Sequence, residues 1–218
     1  MRASGDAAGA RQAYSQALEL IRPLAESGDE ARQALVRVRI GVLQRRIGQT
    51  ESSSDAFRAA LEAAPSWREP YAAILAHLVV AEPDPQLAEE VFRRALTGLA
   101  LEHEWRVYFA LWVQSIAARA SQPSSEAVVR TLSEQSDEPG WHGRLASFAA
   151  GTLTSDQLLA AADDAGQRCE AHFYSGAREL AQGDIAAARA HFRAALDTGM
   201  ISYFEYAMAQ ELLGTLPQ

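Results

Sequence analysis

Apolar residues recur along this chain three and four positions apart, in runs of roughly 11 to 18 residues divided by short polar breaks. That spacing lines them up on one face of a helix. Val and Ile are few and never alternate with polar residues over a strand's length, so no strand is predicted. The breaks are GD at 28–29, IGQT at 47–50, EPDP at 82–85, SQPSS at 121–125, DEPG at 137–140, GTLTS at 151–155, QGD at 182–184 and DTG at 197–199. They delimit about twelve helices. Ser66-x-x-Glu69 and Thr154-x-x-Gln157 have the form of capping boxes and predict helix starts there. Short turns imply antiparallel helix pairs, and no low-complexity linker interrupts them. One continuous all-α domain over 1–218 is therefore expected.

Small and aromatic residues carry a longer period, of about 34 residues. In a unit that starts at Cys169, Gly176 is at position 8, Gly183 at 15, Ala188 at 20, Phe192 at 24 and Ala195 at 27. A unit from Ala34 repeats the scheme with Gly41, Gly48, Ser53, Phe57, Ala60 and, at position 32, Pro65. A third, from Arg68, fits with one residue inserted in the EPDP turn: Tyr71, then Ala88, Phe92 and Ala95. Small residues at 8 and 20 let two helices approach, and the ring at 24 fills the wedge beside them. Gly183 is suited to the left-handed conformation that ends a helix, and Asp184 to capping the next. Residues 103–136 and 139–165 read as degenerate units; the first holds an aromatic stripe of Trp105, Phe109, Trp112 and Ile116. Gly5, Asp6, Ala10, Tyr14 and Ala17 fit the second half of a unit, so 5–33 is expected to lack its first helix.

Position by position this resembles the tetratricopeptide repeat, which implies a right-handed superhelix (α-solenoid) of antiparallel helix pairs. The segment from Trp141 onward, about 75 residues, is similar to the end of the NlpI family of bacterial tetratricopeptide lipoproteins. The similar elements are WHGRLASFAAGTLTSDQLL, then CEAHFYSGARELAQGDIAAARAHFRAAL, then TGMISYFEYAMAQEL with its Phe204-Glu205-Tyr206. The resemblance implies a unit at 169–202, a closing helix at 202–214, and a dimer-forming adaptor role. The chain departs from that family in lacking a lipoprotein signal, and its single cysteine lies mid-helix.

Charge narrows the partners. All 20 basic residues are Arg against 28 acidic residues, a net charge of −8. An acidic chain is a poor counter-ion for phosphate, so neither nucleic acid nor membrane insertion is expected. Cys169 alone excludes a disulfide framework or a multi-thiolate metal site. His77, His103, His142, His172 and His191 show no zinc-helix spacing, and without lysine no phosphate-loop motif can be written. Cys169 and His172 share a helical face, but no oxyanion stabiliser accompanies them. The expectation is a non-enzyme with no cofactor.

Binding is the better-supported role. The first helix of each solenoid pair faces a concave wall suited to a peptide or an amphipathic helix. The groove positions of the repeat fall on Leu35, Val38, Val42, Arg45 and Arg46, on Glu69, Ala72, Ala76, Val79 and Val80, and on Glu170, Phe173, Ala177, Leu180 and Ala181. Clamps for carboxylate tails in this family use Lys, Asn and Arg there. Only Arg45 and Arg46 remain here, so a mainly apolar groove is expected. The function expected is a protein-interaction scaffold; the alternatives are a self-associating homodimer and the regulatory repeat domain of a larger enzyme. A full-length chain would be cytoplasmic, a fragment without its signal periplasmic.

Overall fold

The computed structural model describes residues 7–217. Gly5 and Asp6, assigned above to the incomplete first unit, lie outside them. The described chain is all-α: α1 (Ala7–Ile21), a 3-10 turn (Arg22–Glu26), α2 (Glu30–Arg46), α3 (Thr50–Ala63), α4 (Arg68–Val80), α5 (Pro85–Gly98), α6 (His103–Arg119), α7 (Glu126–Ser136), α8 (Trp141–Ala149), α9 (Ser155–Ala160), α10 (Ala165–Gln182), α11 (Ile185–Asp197) and α12 (Phe204–Thr215). Helices pack in adjacent pairs of tetratricopeptide-like form, foremost α2 with α3 and α10 with α11. Contacts divide the chain into two compact units, Met1–Ile74 and Leu75–Gln218.

Local chemistry sets the helix ends. Asp29, Asp84, Ser125, Asp164 and Asp184 each accept a hydrogen bond from a backbone N–H of the first turn that follows, and so cap α2, α5, α7, α10 and α11. Thr154 and Gln157 form a reciprocal capping box at α9. The other expected box does not form: α4 begins at Arg68, so Ser66 lies in the turn, which closes through Trp67 N–H to the carbonyl of Ala64. Gly183 ends α10 in the left-handed region, at φ 86°.

In the first unit, α2 and α3 enclose Ala34, Val38, Phe57, Ala60 and Leu61, all buried. Approach at Gly41 is closer than any side chain allows, since a Cβ there would sit 2.5 Å from the Phe57 ring. The second unit repeats the device at Gly176, where a Cβ would lie 2.8 Å from the Phe192 ring. It is thus the ring of position 24, rather than the small residue of position 20, that closes on the position-8 glycine. Ser53 and Ala188 are themselves fully buried, which lets the second helix settle. The rest of the second unit is built on α6, whose Val107, Phe109, Trp112 and Ile116 are buried and which packs against α5, α7, α8 and α10. Trp105 of the aromatic stripe is only half-buried.

Candidate functional site

Two clefts and one buried polar network contain the residues able to do something. The first cleft, in the first unit, has a volume of about 440 Å³. Leu35, Val38, Arg39, Val42 and Leu43 of α2 line it, with Ile21 at the end of α1 and Ala73 of α4. Its polarity is set by α2, which presents Leu35 (38 % exposed) beside Val38 (4 %). Among the described residues Arg39 is the one charged side chain in this lining. The Arg46 guanidinium lies 5.8 Å from the centre of the Tyr14 ring, within cation–π range. Arg45 is half-buried.

The second cleft, in the second unit, is about 360 Å³ and lies among α6, α8 and α10. Leu111, Phe148, Tyr174 and Ala177 supply apolar wall, while Gln114, Ser115, Arg178 and Gln182 supply polar groups. Arg178 is stacked on the Phe148 ring, 3.5 Å from its centre, and donates to the Phe148 carbonyl. Gln114 donates to the carbonyl of Ala149 (3.2 Å). Those bonds tie α6 and α10 to the end of α8.

The sequence-derived groove residues divide between surface and core. Val42, Ala76, Leu180 and Arg45 are half-buried and Arg46 is exposed. Ala72, Val79, Glu170, Phe173 and Ala177 are buried. Phe173 is fully buried, with the Phe192 ring 5.9 Å and the Tyr174 ring 5.2 Å away, so in this structure it packs the helix pair. The repeat-packing positions Phe57, Ala60, Ala88, Phe92, Ala95, Ala188, Phe192 and Ala195 are all fully buried, whereas Gly48, Pro65 and Gly183 lie in exposed turns.

The pattern of the sequence did not disclose the buried network. Glu170, 2 % exposed, accepts from the Tyr108 hydroxyl (2.6 Å) and from the Trp141 indole. Glu205, 3 % exposed, accepts at Oε1 from the Tyr174 hydroxyl (2.7 Å) and the Trp112 indole (3.4 Å). His142 Nε2 lies 3.1 Å from the Tyr108 hydroxyl. Burial first, and the Glu205 charge second, push the Glu170 carboxyl up to about 8; burial also raises Glu205. One signal could have found Glu170: an acidic residue on an otherwise apolar face of α10 must be paired or neutral.

Catalytic and metal chemistry gains no support from the geometry. Burial pushes the Cys169 thiol up to about 11, away from reactive thiolate. His172 faces His191 instead, with their Nδ1 atoms 3.2 Å apart, and burial lowers its pKa. Among the described residues no group of three or more His, Cys, Asp or Glu could hold a metal ion, and no helix is long and apolar enough to cross a membrane.

With this geometry in place, one comparison bears on the chain. It is similar to the type IV pilus assembly protein PilF of Pseudomonas aeruginosa. Identity is 44 % over 70 residues, which is 32 % of this chain. The match spans only 27 % of the relative, about a quarter of its length. No protein-family model matches the chain. The similarity supports a tetratricopeptide-type protein.

Proposed function

We propose that this chain is a non-enzymatic adaptor that holds an amphipathic helix or apolar peptide of another protein against the first helices of its repeats. The observation that carries this reading is the cleft of about 440 Å³ along α2, with Leu35 and Val42 accessible within a largely apolar lining. Covering the exposed part of these side chains, 38 % of Leu35 and less of Val42, would contribute on the order of 1 kcal/mol each. The relative's name refers to assembly of a pilus, and an adaptor role in building a protein complex fits that description. The NlpI-like character of the segment from Trp141 belongs to the same reading, as do the repeat boundaries at 34–67, 68–102 and 169–202.

The test is affinity capture from the source cell with three baits. They are wild type, the double variant Leu35→Glu with Val42→Glu, and Glu51→Arg on the exposed face of α3. The cleft variant is expected to lose the captured protein while Glu51→Arg retains it. Equal yields from all three would move the interaction off this cleft. A second reading, self-association, is favoured by Ile201 before α12 and Leu20 of α1, which are 78 % and 77 % exposed. Light scattering decides it: a monomer of 23.6 kDa at every concentration removes the homodimer.

A further inference from the structure

A third cavity, outside both clefts, lies in the second unit among α6, α10 and the start of α12, with a volume of about 290 Å³. Its aromatic lining is Trp105, Tyr108, Trp112, Tyr203 and Phe204, and its acids are Glu104, Glu170 and Glu205. Phe204 is edge-on to Trp105 (centres 6.3 Å apart, planes at 86°) and to Trp112 (5.2 Å, 60°). Tyr108 is stacked against Trp112 at 6.3 Å. Aromatic side chains thus make up most of the lining.

The carboxylates add an independent observation. Glu205 is almost fully buried and lines the cavity, yet both hydrogen bonds it receives from other residues go to Oε1. Among the described residues, none from another residue reaches Oε2. Neither Glu170 nor Glu205 has an Arg partner within ion-pair distance among the described residues. Buried acids are ordinarily paired with a cation or kept neutral by their raised pKa. Here two acids share one aromatic-walled cavity with no cation of the protein's own. An aromatic wall binds organic cations through the ring quadrupole, and adjoining carboxylates add charge and hydrogen-bond acceptors.

We propose that this cavity is a binding site for an organic cation, the guanidinium or ammonium head of a basic group, with Phe204 at its mouth. The volume holds such a head together with part of the chain that carries it, and Phe204 is the most exposed of the rings that line it, at 39 %. The cation would lie against Trp112 and Phe204 and donate to Glu205 Oε2. This reading is separate from the adaptor cleft, which lies in the other unit, and either can fail alone.

Trp105 and Trp112 line the cavity, so tryptophan fluorescence reports occupancy directly. The full chain is titrated at a pH above about 8, where Glu170 is ionised. The probes are Nα-acetyl-arginine amide, agmatine and the uncharged Nα-acetyl-citrulline amide. Saturable change with the two guanidinium probes and none with citrulline is expected. A stronger response to agmatine would point to a free amine as the source, and a stronger response to the amide to a protein side chain. Glu205→Gln, which keeps the hydrogen-bond acceptor and removes the charge, should weaken binding at least about tenfold. Phe204→Ala at the rim should weaken it severalfold, and it decides the matter if Glu205→Gln fails to fold. No saturable change in wild type, equal binding of citrulline, or wild-type affinity in a folded variant would each overturn the site.

Discussion

The helix pairs α2/α3 and α10/α11 follow one ruler and end in different surroundings. Both place glycine at position 8 under the ring of position 24, and both cap the first helix with Asp, Asp29 on α2 and Asp164 on α10. They part at position 2, which is Leu35 in one and Glu170 in the other. Leu35 is 38 % exposed on a cleft wall, while Glu170 is 2 % exposed and bonded to Tyr108 and Trp141. Position 5 parts less sharply: Val38 is 4 % exposed and still lines a cleft, whereas Phe173 is fully enclosed. Within a pair, the ruler decides which residues face the sister helix. Whatever packs on the other side of the first helix decides whether its remaining face becomes groove or core.

The largest effect should come from removing the shared wedge. Phe57→Ala and Phe192→Ala should each cost about 3–5 kcal/mol in urea unfolding, because both rings are fully buried and leave cavities. A cost below about 1 kcal/mol at either ring would break the equivalence of the two pairs. Next come Gly41→Ala and Gly176→Ala. Each forces the ring to move from under the new methyl group, at about 1–3 kcal/mol. Gly41 should suffer more, since its Cβ would lie 2.5 Å from the ring against 2.8 Å at Gly176.

The pH dependence sharpens the contrast at position 2. Folding raises the Glu170 carboxyl from 4.5 to about 8, so the folded chain keeps that proton longer than the unfolded one. Stability from this group is therefore full below about 4.5 and declines as pH rises towards about 8. His142 and His172 act oppositely. Burial lowers both, so their contribution is present above about 6.5 and is lost as pH falls. Thermal scans should show Tm falling as pH rises from about 4.5 to about 8, most plainly above about 6.5 where the histidines no longer oppose it, and levelling off beyond, at about 2–4 °C for each kcal/mol lost. Glu170→Gln should flatten that limb, and Leu35→Glu, at the exposed equivalent position, should leave its slope unchanged. A fall in Tm up to about pH 8 that survives Glu170→Gln would assign it to another group. The smallest effects belong to the shared caps of the first helices: Asp29→Ala and Asp164→Ala should cost about 1 kcal/mol each, measured by the same urea titrations.

Much of the fold could be read from periodicity, because the interactions within a helix pair are local. The turn at Gly183, the caps at Asp184 and Thr154, and the buried stripe of α6 follow from residues near one another in sequence. The start of α4 was less legible. Ser66-x-x-Glu69 has the letters of a capping box, yet the chain turns through Ala64–Trp67 before the helix begins. The candidate sites were legible only in part. Val38 and Val42 do line a cleft, but Phe173, at the same repeat position as Val38, is core.

By itself, the sequence determined that this chain is all-α and built from tetratricopeptide-like pairs, since glycines, small residues and rings at fixed intervals are contact points between neighbouring helices. Only the tertiary structure decided which first-helix faces stay open. It also brought Glu170 and Glu205, 35 positions apart, to one cavity walled by rings from α6 and α12. Burial depends on what distant helices cover, and no interval along one helix records that.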